Sequence, residues 1–245
     1  MAIKRPQLVN GEIYHIATRA IEGIELFRDK KDYLRMIHDL FEFNDENFVP
    51  SSFRVGYLRK KDNVTSSEAV TLMKSVGEMG KRKRKLLVEI LTFCLMPNHV
   101  HLLLRQLREK GISKFMQKLG AYALYFNQRY KRKGHLFQGR YKIVPIKDNE
   151  QLKTVFVYIH SNPVSIVVPG WREKGIRNIK KVIRYLEDYR WSSYPDYLGK
   201  ENFPSITSRE FLIKVMRGKE GCREFVNGWL KFKKELANFE EVATE

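Results

Sequence analysis

The chain has 245 residues, 43% of them hydrophobic, enough for a sizeable core; a disordered chain is excluded. Lys and Arg number 46 against 28 Asp and Glu, a net charge of +18. A surplus of that size favours a polyanionic partner, nucleic acid above all, because neutralised phosphates release counterions.

The N-terminus lacks an uninterrupted apolar run, and no stretch reaches the length that spans a bilayer, so a cytoplasmic, nucleoid-associated protein without membrane contact is expected. The two cysteines, Cys94 and Cys222, suit a reducing compartment, with Cys94 a small core residue in an apolar run.

Glu12 to Arg19 alternates as a strand, with Ile13, His15 and Ala17 on one side and Tyr14, Ile16 and Thr18 on the other. Asp29 is placed to cap a helix running to about Phe43, with Leu34, Ile37, Leu40 and Phe41 as its apolar stripe. Residues 46–85 read as an insertion: a short strand at Phe53–Leu58, a helix from Ser66 or Ser67 through Met73, and a basic run, KRKRK, at 81–85.

Leu86 to Met96 is a buried strand by composition. Pro97-Asn98 signals a turn, and His99 to Arg105 returns as the second strand of a hairpin. A helix follows from about Ser113 to Arg132, with Gly134 ending it. Arg140 to Ile146 alternates again. Asp148 and Gln151 then form a capping-box pattern, opening a helix that stops at Asn162-Pro163. The order β-α-β-β-α-β plus a helix is ferredoxin-like: an α+β fold with an antiparallel sheet and helices on one face.

The stretch MPNHVHLLLR, at 96–105, puts His99 and His101 on one side of a strand that is otherwise apolar. Two imidazoles suit a metal, a proton relay or a polar cluster, and two alone are an incomplete metal site. On the last helix, Tyr158 and Asn162 stand four apart and share a face. An amide oxygen is a reasonable hard ligand, and a phenol is a competent nucleophile. Spacing alone does not select Tyr158 over Tyr122 or Tyr125. His15 and His160 are possible supports for the pair, though a lone histidine is more often structural, and His135 beside Gly134 is expected at the surface.

Between Asn98 and Lys147 twelve Lys or Arg face a single acid, Glu109, with aromatics interleaved. Basic grooves with aromatic platforms suit single-stranded nucleic acid. Tyr125, Arg129, Arg132, Gln138 and Arg140 are the residues expected to make that contact.

Five pieces, IYHIATRA, MPNHVHLLLR, YFNQRYKRKGHLFQGRYK, YIHSNPV and WSSYPDYLG, occur in this order over roughly residues 8–199. Together they resemble the single-tyrosine transposases of the IS200-like group, especially the REP-associated tyrosine transposases. The resemblance implies a ferredoxin-like HUH-nuclease fold with an extra C-terminal helix carrying the catalytic tyrosine. It implies a catalytic domain over 1–199, with the insertion inside it and a helical extension at 200–245. It implies Mg²⁺ or Mn²⁺ held by His99, His101 and Asn162, and Tyr158 as nucleophile; relatives also place a glutamine at the third ligand position. The expected substrate is single-stranded DNA carrying a hairpin, REP-like or at a transposon end, cut and rejoined through a 5′-phosphotyrosine. Relatives act as monomers or as homodimers. Two other classes remain open. A non-catalytic, domesticated nucleic-acid regulator would bind without an adduct. A zinc hydrolase is disfavoured by the lack of an HExxH motif and of a cysteine cluster.

Overall fold

The computed structural model describes residues 6–47 and 84–243, with side chains to 233. The expected strand at 53–58, the helix at 66–73 and most of KRKRK lie outside the described residues.

Four strands form one antiparallel sheet: β1 (Ile13–Arg19), β2 (Val88–Met96), β3 (His99–Gln106) and β4 (Lys142–Pro145). Their spatial order is β2-β3-β1-β4. Each βαβ half is thus split by a strand of the other half, which is the ferredoxin-like arrangement. The helices are α1 (Lys30–Glu42), α2 (Gly111–Leu119), α3 (Tyr122–Arg129), α4 (Asn149–Ser161), α5 (Val164–Val167), α6 (Trp171–Lys174), α7 (Ile179–Asp188), α8 (Tyr194–Tyr197), α9 (Glu210–Val215) and α10 (Gly218–Ala243).

Period-two alternation divides the sheet into two faces. Tyr14, Ile16, Val100, Leu102 and Leu104 pack with α1, α2 and α3 into the first core. Cys94, Met96 and Leu103 pack with α4 and the C-terminal helices into the second. Helices therefore cover both faces, because the helix added after β4 turns back across the face that a minimal ferredoxin-like unit leaves open. Leu212, Met216, Cys222, Val226 and Leu230 belong to this second core, so the segment after 200 shares it. Both cysteines are free and buried.

Two expectations need correction. The helix over 113–132 is two helices. Around Gly120 the four-residue ladder gives way to three-residue bonds, Ala121 to Lys118 and Ala123 to Gly120, which bend the chain. The second of them ends at Arg129, with Lys131 left-handed at φ 51°, ahead of Gly134. On α1, Asp29 caps as expected, accepting from the N–H groups of Lys31 and Asp32. The buried face, however, runs through Met36, Ile37 and Leu40, while Leu34 and Phe41 lie on the solvent side. The Arg84 guanidinium covers the Phe41 ring at 4.0 Å, so this end of the basic run is tied down. The tyrosine helix ends at Ser161, as expected, with Asn162 as its C-cap, although Asn162 keeps helical angles (φ −53°, ψ −40°) before Pro163. The chain passes almost directly into α5.

The edge of β2 is closed by the WSSYPDYLG stretch. Leu95 N–H donates to Trp191 O at 2.8 Å and Ser193 N–H to Phe93 O at 3.0 Å. A bulge near Leu91 leaves that carbonyl to accept from the Tyr197 hydroxyl at 2.6 Å. Tyr189 does the same at Leu95 O, at 2.8 Å.

Candidate active site

The site lies on the second face, near the β2–β3 turn. The register sets His101 between Cys94 on β2 and Ala17 on β1, and His99 between Met96 and Arg19. His99 and His101 point to the same side, with ring centroids 4.9 Å apart. His15, two residues before Ala17 on β1, faces the same way. Its Nε2 lies 3.0 Å from His101 Nδ1. The Nδ1 of His99 lies 2.7 Å from Asn98 Oδ1. Each of the pair 99 and 101 thus has one ring nitrogen engaged by a neighbour and its Nε2 left over.

Helix α4 brings Tyr158 over this face. Asp148 caps the helix, accepting from Gln151 N–H, and Lys147 N–H donates to the Gln151 side chain. Phe156 and Ile159 anchor it in the second core. Fully buried His160 fixes its C-terminal turn, with Nε2 2.9 Å from Ser193 Oγ. The WSS segment therefore holds both the β2 edge and the tyrosine helix. The Tyr158 ring lies 5.4 Å from the His101 ring and 5.8 Å from His15, edge-on to both, and is 37% exposed.

One turn on, Asn162 is buried. Its amide N–H donates to Tyr158 O at 2.7 Å, and its Oδ1 accepts from Arg172 Nη2 at 3.3 Å. The Arg172 guanidinium also stands 5.2 Å from the Tyr158 ring centre. Tyr158 opens onto a groove of about 920 Å³ between α4 and α10, whose walls include Phe225, Trp229 and Phe232 and three acids, Glu150, Glu220 and Glu224.

Burial keeps the imidazoles neutral. It pulls His15 down to about 4, and His99 to about 4 with help from Arg19 and Arg172. His101 falls to about 2 through burial and then the neighbouring His99 and His15, and buried His160 to about 3. All four folded values lie below the ordinary value near 6.5, so the unfolded chain takes up protons first. Their stabilising effect is complete above about pH 6.5 and is lost as pH falls through the window toward 4, each histidine contributing up to about 1.4 kcal/mol per pH unit. Asp39, raised by burial to about 6, and His38, raised by Glu42, work in the opposite sense. Thermal melts in chelator are expected to show a midpoint that drops between pH 7 and pH 4.5. A midpoint that stays level would contradict neutral, buried imidazoles.

The other residues singled out by sequence fall elsewhere. Tyr122 is fully buried on the first face, its hydroxyl donating to Leu26 O at 2.6 Å. Tyr125 OH donates to Asp32 at 2.9 Å, and Arg129 pairs with Asp32 at 2.6 Å and with Asp29 at 2.5 Å. Arg132 bonds Asn127 Oδ1 at 3.1 Å, beside the α3 terminus. Gln138 and Arg140 are exposed, and Gln138 N–H donates to Arg19 O at 2.8 Å, which puts this segment next to the His99 end of the sheet. His135 is exposed. Arg172 escaped the sequence reading, having no local pattern to mark it. Among the described residues, the His and carboxylate side chains that gather closely enough for a cation are His38, Asp39 and Glu42 on α1. There Arg35 pairs with Asp39 and His38 with Glu42, so the cluster reads as ion pairing.

Residues 59–162 match the family model described as "Transposase IS200 like". The matched stretch contains β2, β3, α2, α3, β4 and the whole tyrosine helix. Over that stretch the chain is similar to the IS200-like transposases. His15 and Arg172 lie outside it. A solved structure of a REP-associated tyrosine transposase bound to a REP hairpin is similar at a TM-score of 0.46 and 13% identity, covering 86% of this chain and 93% of that one. No curated protein sequence matches the chain. No helix among the described residues is long and apolar enough to cross a membrane.

Proposed function

We propose that this protein is an IS200-like transposase that cuts and rejoins single-stranded DNA through a covalent 5′-phosphotyrosine on Tyr158. The observation that carries the reading is the placement of a partly exposed phenol ring 5.4 Å from His101, above a face lined by neutral imidazoles.

The donor set fits a divalent cation. His99 and His101 are neutral and each keeps Nε2 available, and the contact to His15 fixes how His101 presents it. Asn162 Oδ1, now shared with Arg172, is the third donor. His99, His101 and Asn162 would hold Mg²⁺ or Mn²⁺, whose positive charge would polarise a non-bridging oxygen of the scissile phosphate.

The chain's own groups do the rest. Tyr158 Oη forms a bond to phosphorus, and its proton passes to solvent. The bond from phosphorus to the 3′ oxygen breaks in line, and that oxygen leaves as a 3′-hydroxyl after taking a proton from water. Arg172, beside the phenol, offsets charge that builds on the phosphoryl oxygens. The phosphodiester energy is kept in the tyrosyl ester, so a second 3′-hydroxyl can reverse the step without ATP. The motif order quoted above supports a hairpin-bearing strand as substrate.

A 3′-labelled hairpin strand incubated with the protein and Mn²⁺ tests this. The expected product is labelled DNA attached to the protein, mapping to the Tyr158 peptide and lost on adding chelator. A nick that leaves a free 5′-phosphate and bare protein would mean hydrolysis. Tight binding without any cleavage would leave only a DNA-binding protein.

A further inference from the structure

A second concave surface lies one element past the tyrosine helix. It is a pocket of about 570 Å³ between the Val167–Pro169 stretch and the start of α7. Val167, Pro169 and Tyr185 give it an apolar floor, and Lys174, Arg177 and Lys181 give it a cationic rim. Among the described residues no carboxylate lines it.

The charge on that rim is uncommitted. Lys174, Arg177 and Lys181 are exposed, and among the described residues none has an ion-pair partner. The acids at the far end of α7 are engaged elsewhere, Glu187 by Arg223 and Asp188 by Lys200. Glu173, on α6, is outside the lining. The larger groove beside Tyr158 is mixed in charge: Glu150, Glu220 and Glu224 line it together with Lys153 and Arg217, and Glu150 pairs with Lys153 and Glu220 with Arg223.

A hollow of this size is too small for a duplex and large enough for one nucleotide. Its floor offers an aromatic face and aliphatic surface for a base, and its rim offers cations for the adjoining phosphates. It is also close to the chemistry. Val167 follows Asn162 by five residues, a span of at most about 18 Å, or about five nucleotides of strand. Arg172, against the Tyr158 ring, stands two residues before Lys174.

We infer that this pocket seats an unpaired nucleotide of the strand that Tyr158 acts on, flanking the hairpin. The assignment rests on the proposed cutting reaction for its substrate and adds where that substrate is gripped. It also moves the principal backbone contacts from α3, where Arg129 is held by two aspartates, to the start of α7.

The test is fluorescence anisotropy with the full chain and two probes, a hairpin with unpaired flanks and the same hairpin cut flush. The combined Lys174→Ala, Arg177→Ala, Lys181→Ala variant is expected to melt like wild type, since all three side chains are exposed. It is expected to bind the flanked probe at least about tenfold more weakly at moderate salt, with a salt slope shallower by about 2. Tyr185→Leu is expected to weaken the flanked probe without changing that slope. Both variants should hold the flush hairpin as wild type does. Unchanged affinity and slope on the flanked probe would overturn the proposal. So would an equal loss on both probes, which would mark diffuse surface charge, or displacement of the flanked probe by an acidic peptide as readily as by an unlabelled strand. Failure of the cutting reading is separate: it shows as absence of a wild-type adduct, whatever these affinities are.

Discussion

Tyr158→Phe is expected to lower strand cutting by about 10⁴-fold or more, with folding and DNA affinity nearly unchanged. The side chain is partly exposed, and its ring contacts with His15, His101 and Arg172 need no hydroxyl. The hydrogen bond that Asn162 makes at this position goes to the backbone carbonyl, which phenylalanine keeps. The variant therefore subtracts one oxygen atom and little else. Adduct yield with a 3′-labelled strand, read beside anisotropy and a melt, separates chemistry from binding and folding. An adduct that persists in Tyr158→Phe would require another nucleophile. Tyr122 and Tyr125 are poor substitutes, as both hydroxyls are engaged on the opposite side of the sheet.

Asp32→Ala is expected to destabilise the protein by about 3 kcal/mol, at the lower end of what losing one partner of a buried ion pair costs. Asp32 is fully buried in the first turn of α1. It accepts from Arg28 N–H at 3.0 Å, Tyr125 OH at 2.9 Å, Tyr130 OH at 2.7 Å and Arg129 at 2.6 Å. Removing it strands three donors on α3 and its end, and the melting midpoint should fall by roughly 6–12 °C. The same variant addresses DNA contact. It removes the acid that Tyr125 and Arg129 share and leaves Asp29 as the one described carboxylate on Arg129. If those two side chains gripped the strand, the variant's affinity would rise, whereas contact centred on α7 leaves it level.

Local patterns carried much of the architecture into the sequence. The Pro97-Asn98 turn between two apolar runs fixed the β2–β3 hairpin, and alternation in 12–19 fixed which side of β1 carries His15. Asp29 and Asp148 marked helix starts through a single carboxylate each. What stayed hidden depends on long-range partners. The apolar stripe of α1 was misplaced because Leu34 and Met36 are equally hydrophobic, and only the packed sheet decides which is covered. The break at Gly120 was obscured by an uninterrupted helical period on both sides. Tyr125 and Arg129 looked available for nucleic acid because their partners, Asp29 and Asp32, are about a hundred residues away in sequence. For the site, the histidine pair and the tyrosine helix were readable from spacing and motif order. Arg172, reaching back ten residues to Asn162, was not, and neither was the way Ser193 steadies His160.

The closure of β2 by residues 191–193 bears on self-association. That margin has already spent hydrogen-bonding groups on its own polypeptide, at Phe93 and Leu95. At the other margin, β4 is four residues long, ends in Pro145, which has no N–H to donate, and exposes Lys142. Neither border invites a neighbour's strand. Pairing of two copies by extension of the described sheet is therefore disfavoured.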